Sequence, residues 1–194
     1  ATGVLPICLG EATKVSQYLL ESDKKYRARL KLGIRTDSAD SEGIVTERCE
    51  DFVVKAEDVE KALQSFRGEI EQIPPMHSAL KVDGVPLYKL ARKGQTVARV
   101  PRKITVYSIE LTEFGADEIE LEIACSKGTY VRTIADDLGQ ILACGAHITA
   151  LHRTQAGAFT EEDCVSTEFL MQEKEALGMQ GIDEILVPMD RAIS

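Results

Sequence analysis

Between Glu118 and Leu138 the hydrophobic pattern changes period, from two residues to about 3.6, across a single glycine at position 128. Ile119, Leu121 and Ile123 alternate with Glu118, Glu120 and Glu122, which predicts a strand with one apolar face. Beyond Gly128, Thr129 is a predicted N-cap, and Val131, Ile134, Ala135 and Leu138 fall on one face of a helix. A chain with such a stretch must pack a helix against a sheet. Lys127, Tyr130 and Arg132 stand at the junction, where a helix N-terminus offers free N–H donors and partial positive charge to anions. The same residues also have a structural reading: a surface cation, a tyrosine packed on the core, and an Arg132–Asp136 pair at i,i+4 worth about 0.2–0.5 kcal/mol.

Other segments extend the pattern. From Lys25 to Ile34, apolar Tyr26, Ala28, Leu30, Leu32 and Ile34 alternate with Lys25, Arg27, Arg29 and Lys31, with Gly33 completing the run. This predicts an antiparallel strand covered on one side, cationic on the other. Arg35 to Gly43 is a polar turn whose acids, Asp37, Asp40 and Glu42, alternate like a calcium loop but lack its central glycine and distal glutamate. Residues 44–48 predict a short return strand, and Ala56 to Phe66 an amphipathic helix with Val59, Leu63 and Phe66 inward. Pro74 and Pro75 hold residues 73–79 extended. Asp83-Gly84 is a two-residue hairpin signal, and Pro86 opens a helix that Gly94 stops. In that helix Leu87, Leu90 and Ala91 are predicted to face inward, with Tyr88, Lys89, Arg92 and Lys93 on or beside the outer face. Residues 104–114 and 118–124 predict a hairpin, and 147–153 a further strand. A last helix is expected from Val165 to Leu177, capped by Ser166 or Thr167, followed by a connector with an apolar patch at 185–187. The first ten residues read as a buried strand, and Glu11 to Leu20 as a short helix. Together these give an α+β fold: a mixed, mostly antiparallel sheet flanked by helices.

At 194 residues the chain is expected to be one domain, or one domain and an appendage. Its net charge of −9 argues against nucleic acid, but the distribution does not. Lys24 to Arg35 holds six bases and no acid; Lys81 to Lys103 holds seven bases against Asp83; the stretch from Thr160 to the end holds nine acids against two bases. Local basic surface is what a phosphate backbone responds to. Five cysteines, an odd number with no C-x-x-C, predict reduced thiols in a cytosol. The histidines at 77, 147 and 152 show no zinc-ligand spacing with them. No apolar run approaches the roughly 18 residues of a membrane span, and no signal-peptide pattern occurs. P-loop, G-x-G-x-x-G, G-x-S-x-G and H-E-x-x-H motifs do not occur, so cofactor chemistry has no foothold.

Four stretches then carry a resemblance, in order along most of the chain. They are A-T-G-V-L-P-I-C-L-G-E-A-T-K from Ala1, Lys25-Tyr26 with the turn G-I-R-T-D-S-A-D-S-E-G, P-M-H-S-A-L-K from Pro75, and C-S-K-G-T-Y-V-R-T-I-A-D-D-L-G from Cys125 with the following C-G-A-H-I-T-A-L-H-R. In these the chain closely resembles the TruB family of bacterial tRNA pseudouridine synthases. The resemblance implies isomerisation of uridine at position 55 in the T loop of tRNA, without cofactor or metal. The base is cut from C1′, turned over and rejoined through C5. It implies that Tyr26 stacks on the flipped base and handles the C5 proton. It implies that Arg132 pairs with an essential aspartate and holds it ionised, and that Tyr130 and Leu151 line the uridine pocket. Phosphate contacts fall to Lys81, Lys89, Arg92, Lys93 and Lys127, most of them in an RNA-clamping insertion over about 74–103.

Two departures accompany the resemblance. The family's aspartate belongs to a G-x-x-D-P-x-A-T-G motif, of which Ala1 is the A, so it is expected three residues upstream of Ala1. Residues 1–180 are expected to form a catalytic domain trimmed at its start, with 181–194 a linker toward a PUA domain outside the chain. The expected partner is tRNA, with no membrane, in a cytoplasmic monomer. The alternative is a tRNA-binding or tRNA-folding module without catalysis. A carboxylate hydrolase using Asp136 or Asp137 is a third reading, although salt-bridge or capping roles account for both residues more simply.

Overall fold

The computed structural model describes residues 1–193. The strands are β1 (Thr2–Gly3), β2 (Lys24–Leu32), β3 (Ile34–Thr36), β4 (Val45–Arg48), β5 (Gly68–Gln72), β6 (Lys81–Val82), β7 (Val85–Pro86), β8 (Arg102–Phe114), β9 (Glu118–Cys125), β10 (Ala146–Ala156) and β11 (Phe159–Thr160). The helices are α1 (Ser16–Glu21), α2 (Ala56–Leu63), α3 (Leu87–Ala91), α4 (Val131–Ile141), α5 (Thr167–Leu177) and α6 (Met179–Ile185). A seven-stranded sheet runs β1-β10-β2-β9-β8-β5, with β11 also pairing β10. Only the β1–β10 pairing in it is parallel, so the expected mixed, mostly antiparallel sheet is present.

The core lies on one face of this sheet. Ala28, Leu30 and Leu32 of β2, Ile119, Leu121 and Ile123 of β9, and Val106 and Ile109 of β8 are buried there. Val59, Leu63 and Phe66 cover them from α2 and its terminal 3-10 turn, and Val131, Ile134, Ala135 and Leu138 from α4. Gly139 lets α4 approach β10 closely: a Cβ there would lie 2.2 Å from the Ala146 nitrogen.

Several local expectations are corrected. Gly33 adopts φ +83°, a left-handed value that ends β2 and starts β3 on a new course, so Ile34 does not extend the strand. The first ten residues are not a buried strand. Val4 is buried, but Leu5, Ile7 and Leu9 are exposed, because only Thr2 and Gly3 pair with β10. Residues Gly10–Val15 form a 3-10 turn ahead of α1, with no buried residue. Pro86 caps α3 rather than occupying its first turn, and only Leu87 of that helix is buried. Thr129 does not cap α4; its hydroxyl donates to the Ser126 carbonyl and Tyr130 takes the cap position. Ser166 does cap α5, accepting from the Phe169 N–H. The expected connector beyond it instead contains α6 and a 3-10 turn at Met189–Ile193; its last residue, Ser194, lies outside the described residues.

Candidate active site

The start of β2 lies beside the ends of β9 and β10, with Lys24 opposite Cys125 and Ala156, and the chain leaves β9 there for α4. Tyr26 of β2 stands opposite Ile123 of β9 and Arg153 of β10; two residues along, Ala28 stands opposite Leu151. Directly opposed residues share a face, so Tyr26, Leu151 and Arg153 project from the side that α4 covers. Tyr26 and Leu151 are half-buried against the core. Burial pushes the Tyr26 phenol above its ordinary value, and the nearby Arg153 charge partly opposes this. Arg153 also ties down the first residues: its Nε donates to the Val4 carbonyl at 2.7 Å, and its own carbonyl accepts the Val4 N–H at 2.8 Å.

Arg132, in the first turn of α4, does not pair with Asp136. Its Nη1 donates to Asp40 Oδ2 at 2.6 Å and its Nη2 to the His77 carbonyl at 2.8 Å. Asp136 instead takes both oxygens to Arg35, at 2.6 and 2.8 Å, and accepts a third bond from Gln140. Burial raises the Asp40 carboxyl, but hydrogen bonds from Ser38 and Arg132, with the Arg132 charge, outweigh it and leave the group below its ordinary value. The turn that resembled a calcium loop spends its oxygens internally. Asp40 Oδ1 accepts from the Ser38 hydroxyl and the Glu42 N–H, and Asp37 Oδ1 accepts the Ile44 N–H. Among the described residues no group of three or more His, Cys, Asp or Glu side chains could hold a metal ion. Asp137 is raised by burial and by its neighbour Asp136, with the Arg35 charge opposing.

Tyr130 is the N-cap of α4, two residues before Arg132. Its N–H donates to Gln72 Oε1 at 2.8 Å and its carbonyl accepts from Gln72 Nε2 at 3.1 Å. Lys127 lies in the β9–α4 turn, 3.4 Å from Glu21. Lys81, Lys89, Arg92 and Lys93 are exposed on the β6–β7 hairpin and around α3, with Arg92 over the Tyr88 ring at 5.5 Å. Arg99 closes the base of this projection by donating to the Pro74 carbonyl at 3.2 Å.

The cationic face of β2 is not a free basic surface. Arg29 lies 3.1 Å from Glu120 and 3.7 Å from Glu113, Arg27 within 3.8 Å of Glu120 and Glu122, and Lys31 2.6 Å from Asp117. Antiparallel pairing with the acidic face of β9 brings these charges together. Lys24 turns inward to the last carbonyls of α1, and burial lowers its pKa.

Nothing in the local pattern marks Asp40, Arg153 or Gln72 as members of this site. Asp40 is 92 residues from Arg132 and Gln72 is 58 from Tyr130. The nearest signal is that Asp40 and Arg153 fall within stretches that carry the family resemblance.

The same sheet-and-helix arrangement occurs in solved structures of protein assemblies. A Cbf5-Nop10-Gar1 complex contains a chain that matches with TM-score 0.75 and 28% identity, covering 98% of this chain and 49% of that one. An H/ACA RNP bound to a substrate RNA containing 2'-deoxyuridine matches with TM-score 0.70 and 25% identity, covering 98% and 48%. Residues 1–131 match the family model described as TruB family pseudouridylate synthase (N terminal domain), and residues 132–194 that of the tRNA pseudouridylate synthase B C-terminal domain. Proteins named tRNA pseudouridine synthase B from Vibrio atlanticus (strain LGP32) and Pseudomonas aeruginosa (strain UCBPP-PA14) are 52% and 50% identical to it. Those alignments take in 100% of this chain and 62% and 63% of the relatives' length. The chain belongs to the TruB family of pseudouridylate synthases. Its two matched regions meet at the start of α4, yet residues from both, Ile123 and Ile134 among them, share one core.

Proposed function

We propose that this chain is the core of an enzyme that isomerises uridine to pseudouridine in the T loop of tRNA, acting as a cytoplasmic monomer. The observation that carries the reading is the setting of Arg132. Asp40 and the His77 carbonyl hold its guanidinium from two sides. That uses two of the five N–H donors of an arginine. The remaining donors can take a second carboxylate, the family's aspartate, and an adjacent guanidinium keeps such a carboxylate ionised at neutral pH. Ionised, it can act on the sugar as the C1′–N1 bond breaks.

Tyr26, Tyr130 and Leu151 supply aromatic and apolar surface for a base taken out of its stack. T-loop bases are accessible to such handling because they can be splayed from the loop. The Tyr26 hydroxyl handles the C5 proton as the base rejoins through C5. Residues 74–103 clamp the T stem-loop through Lys81, Lys89, Arg92 and Lys93, and Lys127 adds a phosphate contact near α4. Residues 1–180 act as the catalytic domain and 181–194 lead into an RNA-binding PUA domain. Thr2 stands opposite His152, next to Leu151, so the first residues of this chain lie beside the proposed base pocket; the family's aspartate is proposed to lie upstream of them.

The test is release of tritium from tRNA transcripts carrying [5-3H]uridine, using a protein that joins this chain to the family's flanking segments. Isomerisation frees the C5 hydrogen. A module that only binds or folds tRNA retains it, and tight binding without release overturns the proposal.

A further inference from the structure

We infer that Gln72 is a positioning residue for the isomerisation, setting the backbone that carries both Tyr130 and Arg132; this rests on the function proposed above. Gln72 is the last residue of β5 and only 4% exposed, and its side chain reaches across to the start of α4. Its amide grips the backbone of one residue on both sides, accepting the Tyr130 N–H at 2.8 Å and donating to the Tyr130 carbonyl at 3.1 Å. Only one orientation of the amide makes both bonds, since the flipped one sets donor against donor and acceptor against acceptor. The gripped carbonyl also receives the N–H groups of Thr133 and Ile134, at 3.1 and 3.3 Å, so it anchors the first turn of α4. Arg132 lies in that turn.

Five residues after Gln72, the His77 carbonyl holds the Arg132 guanidinium. The segment from Gln72 to His77 is therefore bracketed onto Tyr130–Arg132 at both ends. The residues that follow it are bonded to the basic hairpin and helix. The Ser78 carbonyl accepts the Tyr88 N–H at 3.0 Å, the Leu80 carbonyl accepts the Leu87 N–H at 2.7 Å, and Arg99 reaches Pro74. Gln72 is the fixed end of this bracket, on the sheet. RNA held by the hairpin and helix pulls on the other end. With the Gln72 grip intact, that pull leaves Arg132 in place. Without it, Tyr130 and Arg132 shift with the segment.

The test compares wild type, Gln72→Met and Gln72→Glu, in the protein with its flanking segments, at a temperature where all three are fully folded by circular dichroism. Met keeps the volume and removes both bonds. The single-turnover rate of tritium release from [5-3H]uridine tRNA is expected to fall about 100-fold, the order of loss that a 1 Å misplacement produces, while tRNA Kd changes less than 3-fold. Amide hydrogen exchange at 130–134 is expected to speed up in the same variant. Gln72→Glu adds a pH signature. Its protonated carboxyl can donate to the Tyr130 carbonyl and accept the Tyr130 N–H, whereas its carboxylate cannot donate. Burial raises the pKa of such a group. Activity of this variant relative to wild type is therefore expected to rise as pH is lowered through that raised value. Equal rates in wild type and Gln72→Met, equal losses in rate and affinity, or a pH-independent Gln72→Glu ratio each overturn the inference. If wild type itself releases no tritium, the proposed function fails, and unchanged exchange at 130–134 in Gln72→Met then still overturns the grip.

Discussion

Arg132 and Asp40 meet at 2.6 Å although 92 residues separate them in the chain. Both side chains are only about a quarter exposed, at 26% and 24%, so solvent screens the pair less than a surface one. The pair joins the turn after β3 to the first turn of α4. Replacing Arg132 by Ala leaves Asp40 without its cation, leaves the His77 carbonyl without its donor, and withdraws the charge proposed to ionise the catalytic aspartate. Arg132→Ala is expected to lower the isomerisation rate by more than about 1,000-fold, more than one oxyanion-hole donor contributes, with only a modest loss of tRNA affinity in a filter-binding titration. Equal losses in rate and binding would remove the catalytic role.

Asp40 gives a pH dependence of defined sign. Its folded pKa lies below the ordinary 3.8. A depressed carboxyl stabilises the fold above the unfolded pKa, and that stabilisation is lost as pH falls through the folded value. Asp40→Asn is therefore expected to be less stable than wild type at pH 7. The gap should begin to close below about pH 4, where the unfolded carboxyl takes up its proton. Urea midpoints at a series of pH values check this, and a gap that widens on acidification contradicts the assigned shift.

Tyr26 separates stacking from proton handling. Burial holds its phenol above the ordinary 10.0, so the hydroxyl stays protonated through neutral pH. Tyr26→Phe keeps the ring and removes the hydroxyl. It is expected to bind tRNA as wild type does and to slow C5-hydrogen release by about 100-fold, within the range for a lost acid–base group. Full activity in this variant leaves Tyr26 a stacking role alone.

The helix α4 should also be sensitive at a residue that carries no side chain. An alanine Cβ at position 139 would meet backbone atoms, Ala146 N at 2.2 Å and Gly145 C at 2.5 Å, which cannot swing aside as a side chain could. Gly139→Ala is expected to destabilise the fold by about 1–3 kcal/mol, lowering Tm by roughly 2–4 °C for each kcal/mol. Thermal denaturation followed by circular dichroism checks this; an unchanged Tm means that β10 can retreat from α4.

Periodicity makes the core strands, α2 and α4 legible before any coordinates, because each buries one face and the buried face imposes its period on the sequence, whereas α5, with no buried side chain among the described residues, shows itself through its Ser166 cap. Residues 1–10 mislead for the same reason: their apolar side chains look like a buried strand, yet pairing ends after Gly3. The site is legible only in part. Tyr26, Tyr130, Leu151 and Arg132 stand out through the family resemblance, whereas Asp40, Arg153 and Gln72 act through contacts made by tertiary folding. No spacing rule links an acid in a turn to an arginine 92 residues on. The Arg132–Asp136 pairing that i,i+4 spacing suggests loses to Arg35, whose planar fork meets both Asp136 oxygens.

Charge counted along the chain and charge displayed on the surface also part company, and tRNA binding should register the difference. Arg27, Arg29 and Lys31 face acids across β9 and its turn, so binding RNA would first require breaking those pairs. Lys89 and Lys93 are exposed around α3 and available to phosphates. Each phosphate contact contributes about 0.9 to the slope of log K against log salt on a duplex and about 0.7 on a single strand. Lys89→Ala and Lys93→Ala are each expected to reduce the magnitude of the slope for tRNA by about that amount and to weaken binding at low salt. Arg29→Ala is expected to leave the slope unchanged, because it releases no phosphate contact; it parts Glu113 from Arg29 and leaves Glu120 to Arg27. Titrations between 50 and 200 mM salt, the range over which such contacts are felt most strongly, distinguish the two cases. A reduced slope in Arg29→Ala together with none in the α3 variants would move the RNA path from the hairpin and α3 to the open face of the sheet.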